Sequence, residues 1–389
     1  MTTAELVEAD MQSARILLGP LRVFPMIVVD NAGYDNNVFS TPEGFPKFAD
    51  WTATAGAGGR VVLPMGSKFF LRLTAVPQYI WYDKLADRRT WGGDFSGQFL
   101  ALGNRLSFEA DGGLTRGYTV VNSELGQQAL ETQSSAGGKL EVDLTRSLSF
   151  VALGGFSDLR FTNDLSINPI GVDQFNRQDS AVMGGLRFKV LSYLDLTAGV
   201  QGTRSDFDEH PELRNNETYA VLGGIHLDRS RLFVNLAGGY RKGRPFEGSL
   251  FRTYATSVGS YFVSFKVVDP LEIQATGHRQ PVYSLSSFDQ LFVESRYGGG
   301  LVVHIGPLVA LHGYAEKGTN AYPFPNPPTD PRRIDDAVSY GGSASVLLFR
   351  TITIRAQANQ DNLKRADGTN RNVFRFTTGL SFNEEYRRQ

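Results

Sequence analysis

Residues 69–82 read Phe-Phe-Leu-Arg-Leu-Thr-Ala-Val-Pro-Gln-Tyr-Ile-Trp-Tyr. Phe69, Leu71, Leu73, Ala75, Tyr79 and Trp81 take alternate places, with Arg72, Thr74 and Gln78 between them. A period of two puts the two sets of side chains on opposite faces of a strand, whereas an amphipathic helix needs a period of 3.6. Gly66-Ser67, just before this stretch, is a tight-turn signal.

The same rhythm extends outward along the chain. Leu140, Val142 and Leu144 alternate with Lys139, Glu141 and Asp143; Leu186, Phe188 and Val190 with Arg187 and Lys189. Leu271, Ile273 and Ala275 alternate with Glu272, Gln274 and Thr276; Ile352, Ile354, Ala356 and Ala358 with Thr353, Arg355, Gln357 and Asn359. Near the end, Phe374, Phe376, Leu380 and Phe382 alternate with Arg375, Thr377 and Ser381. Further short turns are expected at Asn104-Arg105, Arg146-Ser147, Ser192-Tyr193, Arg229-Ser230, Asp269-Pro270, Gly306-Pro307 and Arg350-Thr351. Between them lie longer polar segments at about 34–50, 84–90, 120–130, 163–178, 205–217, 243–251, 282–289, 317–336 and 365–371. Eight short turns separating nine long-loop hairpins give 18 strands. Short turns on one side and long loops on the other are the layout of an up-and-down antiparallel barrel, periplasmic turns below and extracellular loops above. The fold class expected is therefore all-β, a transmembrane barrel of about 18 strands over residues 20–383, with a short tail at 384–389. A propeller also repeats near 40 residues, but puts four short strands in each repeat where this chain has two long ones.

Composition agrees with this layout. The chain has 389 residues, with 39 Lys+Arg against 40 Asp+Glu, so it lacks the basic excess of a nucleic-acid-binding protein. Zero Cys excludes a disulfide framework, a thiolate zinc site and a cysteine nucleophile. No run of 18 apolar residues offers a transmembrane helix, which leaves a barrel available because half of each spanning strand faces water. Residues 1–12 show no basic segment followed by an apolar core; the expectation is an exported chain whose signal has been removed. Residues 1–19 are expected to form a short periplasmic-side helix: Thr2 and Glu5 fit a capping box, Val7, Met11, Ala14 and Leu18 follow at helical spacing, and Gly19-Pro20 stops it.

The face opposite the apolar set is polar and of mixed sign. Its expected lumen-lining residues are Arg72, Glu109, Asp111, Lys139, Glu141, Asp143, Arg187, Lys189, Arg241, Lys266, Glu272 and Arg355. A barrel of this size leaves an aqueous channel unless something plugs it. Aromatic residues near strand ends, among them Tyr79, Trp81, Tyr82, Phe246, Phe251 and Tyr254, suit a girdle at the lipid–water interface. Paired glycines such as Gly58-Gly59, Gly184-Gly185, Gly223-Gly224 and Gly238-Gly239 are read first as wall curvature, and second as room left in the lumen for a bulky guest.

No catalytic constellation stands out. His210, His226, His278, His304 and His312 are scattered, and no Gly-x-Ser-x-Gly elbow occurs, so no enzyme, cofactor or metal is expected. Asp206, Asp208 and Glu209 are read as a solvated acidic loop rather than a Ca²⁺ site, and 322–328, rich in proline, as a stiff exposed loop.

The first hairpin carries Gly33-Tyr34-Asp35-Asn36-Asn37-Val38-Phe39 after the apolar strand 21–29. This resembles the opening hairpin of an outer-membrane β-barrel porin family found with bacterial exopolysaccharide and capsule gene clusters. The resemblance implies a channel that moves a secreted polysaccharide across the outer membrane with a periplasmic export protein as partner. The export reading goes with a monomer in contact with outer-membrane lipid, while the balanced charge speaks for no nucleic acid partner. The alternatives are a general diffusion porin for small solutes and a plugged structural or hydrolase barrel.

Overall fold

The computed structural model describes residues 14, 16–162, 171–246, 248–285, 290–324, 333–349 and 351–382. A short strand β1 (Ile16–Leu18) opens the chain, followed by β2 (Leu21–Asp35), β3 (Asp50–Met65), β4 (Phe69–Tyr82), β5 (Thr90–Leu102), β6 (Leu106–Val120) and β7 (Gln128–Asp143). Then come β8 (Leu148–Thr162), β9 (Arg177–Leu191), β10 (Leu194–Phe207), β11 (Asn216–Arg229), β12 (Leu232–Pro245) and β13 (Tyr254–Val268). The last six are β14 (Leu271–Tyr283), β15 (Leu291–Ile305), β16 (Val309–Ala321), β17 (Ile334–Leu348), β18 (Ile352–Lys364) and β19 (Asn370–Phe382). One four-residue helix, α1 (Pro211–Arg214), sits between β10 and β11.

All nineteen strands form one sheet, and β1 pairs only with the start of β2. The remaining eighteen pair antiparallel with their chain neighbours, and β19 returns to β2, so the sheet is closed. Every short turn expected from the sequence separates two strands, and every long polar segment joins two at the other end. The seam runs from Arg375 opposite Asp35 to Phe382 opposite Ile27, with a register shift between Thr378 and Leu380. On the β2 side the irregularity lies between Asp30 and Gly33, where Asn31 takes a positive φ of 51°. An extra residue in one strand bends it and raises local twist, which helps a sheet close on itself.

Alternation sorts the wall into two faces. Leu73, Val182, Val200, Val221, Leu301 and Leu380 are exposed on the outside. Toward the long-loop end, Trp51, Tyr79, Trp91, Tyr219, Tyr240, Tyr297 and Tyr340 ring the outside, and Tyr34 packs on Trp51 and Tyr79 on Trp91 at ring separations of 5.4 Å and 5.2 Å. An apolar band edged by Tyr and Trp belongs in a bilayer, where only helices and closed barrels satisfy their backbone. Among the described residues no helix is long and apolar enough to span. The closed wall with its apolar outside places the protein in the outer membrane.

Three expectations are corrected. Ile16–Leu18 is a strand joined to β2 by a turn at Gly19-Pro20, so the helix does not extend through Leu18; its earlier positions, Thr2, Glu5, Val7 and Met11, lie outside the described residues. The strand wins because Ile16 and Leu18 find open backbone partners in Val23 and Leu21. Tyr82, Phe251 and Tyr254 are buried inside rather than placed in the girdle. Parity explains Tyr82, since Tyr79 and Trp81 face outward and their even-numbered neighbours must face inward. The start of the proline-rich stretch is not an exposed loop either: Tyr322 packs on Phe292, and Phe324 joins an interior cluster with Phe251, Tyr254 and Leu291.

Two further readings meet the structure in detail. Asp206 is held by Arg204, and Asp208 pairs with Arg160, so both carboxylates have cationic partners. Glycines lie on both faces, and a Cβ on Gly58 or Gly239 would collide with the carbonyl oxygen of Ala75 or Val221. At these places strands come too close for any side chain, as wall curvature requires.

The two faces differ in what they tolerate. Val200→Arg, mid-strand on the outside, should cost about 2–4 kcal/mol of stability in lipid, whereas Ser157→Arg, inside and in register with Asp179, should cost far less. Denaturant unfolding in bilayers checks this, and equal losses would contradict the assigned faces.

Candidate functional site: the crossed mouth of the barrel

The long-loop end is not an open ring. Loop 121–127, between β6 and β7, turns inward and reaches the opposite wall. Its shape is set locally: the Asn122 side chain accepts from the Leu125 amide at 2.9 Å, and the Gly126 amide donates to the Asn122 carbonyl at 2.8 Å. Gly126 has φ of +60°, a conformation that L side chains rarely adopt, and the guanidinium of Arg371 lies close over it.

At the loop's tip, Glu124 is buried and many-partnered. One carboxylate oxygen accepts from the Ser284 hydroxyl at 2.9 Å and the Leu285 amide at 3.0 Å; the other lies 3.6 Å from the Arg333 guanidinium. The Glu124 carbonyl accepts from Arg371 at 2.9 Å and Arg365 at 3.4 Å, and the Ser123 carbonyl accepts from Arg371 at 3.0 Å. The Ser123 hydroxyl donates to Asn320 at 3.2 Å, the Asn122 amide group donates to the Tyr283 carbonyl at 3.0 Å, and Ser40 bonds to the Gly126 carbonyl. Seven residues of loop thus tie β14, β16, β19 and the first, seventh, eighth and ninth long loops together. Charge-assisted bonds in a water-poor setting are the stronger kind, and a carboxylate stripped of such partners is costly.

Apolar packing thickens this lid. Leu125, Ala129, Phe161, Val172 and Phe175 form one buried cluster; Val38, Ile80 and Tyr82 form another. Arg88 is enclosed by Phe39, Tyr82 and Tyr118, its carbon 4.2 Å from the Tyr118 ring centre, and donates to the Gln128 carbonyl at 3.0 Å. At the end of α1, Arg214 donates to Gln174 at 2.7 Å and the Ser284 carbonyl at 3.0 Å. Burial lowers its guanidinium to about 10, with Glu124 pulling the other way, so it stays charged at neutral pH. The Asp-Asn-Asn-Val-Phe hairpin belongs here too. The Asn37 amide donates to Asp35 at 2.8 Å, its side chain exchanges bonds with Thr41, and Val38 and Phe39 are driven inward.

Below the lid, charged side chains meet on the inner wall. Arg296 bonds to Glu294 at 3.0 Å and to Asn320 at 2.9 Å, and stands 3.9 Å from Glu316; His278 meets Glu294 at 3.1 Å. Across the seam, Arg375 holds Asp35 at 2.7 Å.

By register, the residues singled out from alternation share a face of the wall with buried or mutually bonded neighbours. Arg72, Glu109, Asp111, Lys139, Glu141, Asp143, Arg187, Lys189, Lys266, Glu272 and Arg355 lie toward the short-turn ends, and only Arg241 stands higher. Lys139, Glu141 and Arg187 are brought together, with Lys139 3.5 Å from Glu141 and Arg187 paired to the same carboxylate. Glu109 accepts from Gln98 at 2.6 Å, Asp143 from Ser149 at 2.6 Å, Glu272 from Ser264 at 2.6 Å, and Arg241 donates to Gln201 at 3.3 Å. The others are spread around the wall. Sequence reasoning missed Glu124, Arg296, Arg333 and Arg371, which belong to loops or loop-proximal strand ends. Arg371, Val373 and Arg375 do continue the last strand's alternation, and that was a usable signal.

Glu124→Ala should leave Ser284 and Leu285 without their acceptor, and Arg333 with Asp335 alone. The expected outcome is a destabilisation of about 1–3 kcal/mol and a larger, noisier single-channel conductance in a planar bilayer. An unchanged conductance would place loop 121–127 off the ion path.

No protein-family model and no curated protein matches the chain. The fold does match solved structures. OccK2 (OpdF) of Pseudomonas aeruginosa, in complex with glucuronate, aligns with a TM-score of 0.55 at 10% identity over 93% of this chain and 98% of that one. OccAB3 of Acinetobacter baumannii aligns with a TM-score of 0.53 at 9% identity over 92% and 99%. A BenF-like porin of Pseudomonas fluorescens Pf-5 aligns with a TM-score of 0.55 at 8% identity over 92% and 98%. The chain shares the barrel fold of these outer-membrane proteins across nearly its whole length.

Proposed function

We propose that this barrel is an outer-membrane channel for small hydrophilic solutes. The carrying observation is the crossed mouth: loop 121–127 spans the entrance and is tied to the far wall through Glu124. A polymer sliding outward needs a clear bore, and a network of buried loops across the entrance weighs against it. Small solutes need only a gap between fixed side chains, and pore size and lining groups set what enters. The inner wall offers both signs of charge, from Arg296, Arg375 and Arg187 to Glu294, Glu316 and Glu141. It would orient polar solutes without holding one tightly. The neighbours of this fold include one named as a porin and another solved with glucuronate, a small acidic sugar. The polysaccharide cargo and its periplasmic partner drew on the first-hairpin resemblance, and that hairpin has a local explanation in the turn that drives Val38 and Phe39 into the lid.

Proteoliposome swelling tests the proposal. Monosaccharides and their acid derivatives should enter, with rates falling steeply toward tetrasaccharides and no flux of long dextran. Passage of long dextran would restore the export reading, and absence of all swelling would mean a plugged barrel.

A further inference from the structure

The outer wall carries a feature that solute passage does not use. Gly223, Gly238 and Gly259 are cross-strand neighbours on β11, β12 and β13, and Gly259 lies opposite Arg279 of β14. With no side chains at these places the wall is recessed, while Ile225, Leu236, Tyr261 and Tyr297 border the recess. The result is an open groove of ≈ 680 Å³, largely apolar, with Arg279, Ser257 and Ser295 at its polar end. Gly223 and Gly238 sit mid-strand, whereas Arg279 is near the long-loop end of β14. The groove thus runs from Arg279 down toward the hydrocarbon.

Arg279 is exposed on this outer face. Its guanidinium donates to the Ser295 hydroxyl at 2.8 Å, the Ser257 hydroxyl at 3.1 Å and the Thr256 hydroxyl at 3.4 Å, and among the described residues no carboxylate pairs with it. Two residues earlier, Gly277 lies under the ring of Tyr261 and opposite Tyr297, both part of the outer aromatic band. The cation therefore stands just above that band, where lipid headgroups meet water. Its hydroxyl partners are neutral, so its charge is left without a counter-charge among the described residues. A second copy docked by the same patch would set arginine against arginine. A phosphate is the complementary group, since a guanidinium binds it with two parallel hydrogen bonds.

We propose that this groove is a binding site for a phosphorylated, acylated lipid of the outer leaflet, of the lipid A type. Its phosphate rests on Arg279, and one acyl chain lies along Gly259, Gly238 and Gly223. The site is on the lipid face, so it stands or falls apart from the solute proposal.

Native mass spectrometry of the full chain in detergent, with diphosphorylated lipid A or with zwitterionic phosphatidylethanolamine, tests this. The wild-type barrel should retain one lipid A at detergent concentrations that strip phosphatidylethanolamine. Arg279→Gln should weaken retention about tenfold, the loss of one charge-assisted contact. Gly238→Leu should do the same by filling the groove while leaving the arginine; a Cβ at that place meets only the Val258 carbonyl oxygen, at 3.8 Å, so the wall can accept it. Both variants should keep the heat-modifiable gel mobility of a folded barrel and an unchanged conductance. The proposal is overturned by wild-type protein that retains no lipid A, by both variants retaining it as wild type does, or by a protein dimer that Gly238→Leu abolishes, which would put a second copy in the groove.

Discussion

The rest of the structure depends on one constraint: in hydrocarbon, every backbone N–H and C=O must find a partner within the protein. An open sheet of this length would leave two unpaired edges in lipid. Pairing β19 with β2 removes both, and the price is a seam whose register is adjusted by an irregularity at Asn31. Once the ladder is closed, alternation decides everything else about the wall. Outward places must suit acyl chains and headgroups, and inward places are free to be polar.

That freedom is used differently along the barrel's length. Toward the short turns, the inner wall carries mixed charges bonded to near neighbours, such as Lys139 and Arg187 with Glu141. Toward the long loops, the interior fills with buried aromatics and with loop 121–127. Glu124 holds that arrangement together because its acceptors are shared among groups from loops far apart in sequence. A lid made of loops alone would be loose; one tied through a buried carboxylate and several arginines has defined gaps.

The wall was legible in the sequence because its signal is local. Alternation at 69–82, turn residues at Gly66-Ser67 and seven like places, and the count of hairpins follow from side-chain periodicity and turn chemistry, which need no knowledge of distant contacts. The lid was not legible, because nothing near Glu124 in sequence announces Ser284, Arg333 or Arg371. Tyr82, Phe251 and Tyr254 were misplaced for a related reason: an aromatic at a strand end suits a lipid interface or a loop-filled interior equally well. Only parity with Tyr79 and Trp81 separates the two for Tyr82. At Ile16–Leu18, helical spacing lost to a nearby strand edge with open partners.

The seam also carries a consequence for biogenesis. Arg375 and Asp35 are bonded across 340 residues, while every other strand pair joins chain neighbours. Zipping up hairpins one after another can proceed locally, but the cylinder remains unfinished until the final strand arrives. Until then the nascent sheet exposes two sticky borders, and contacts of such long range form slowly. The carboxyl-terminal strand is thus the step that commits the chain, and damage confined to 370–382 should leave a sheet that cannot close and so cannot settle in the bilayer, rather than a smaller barrel.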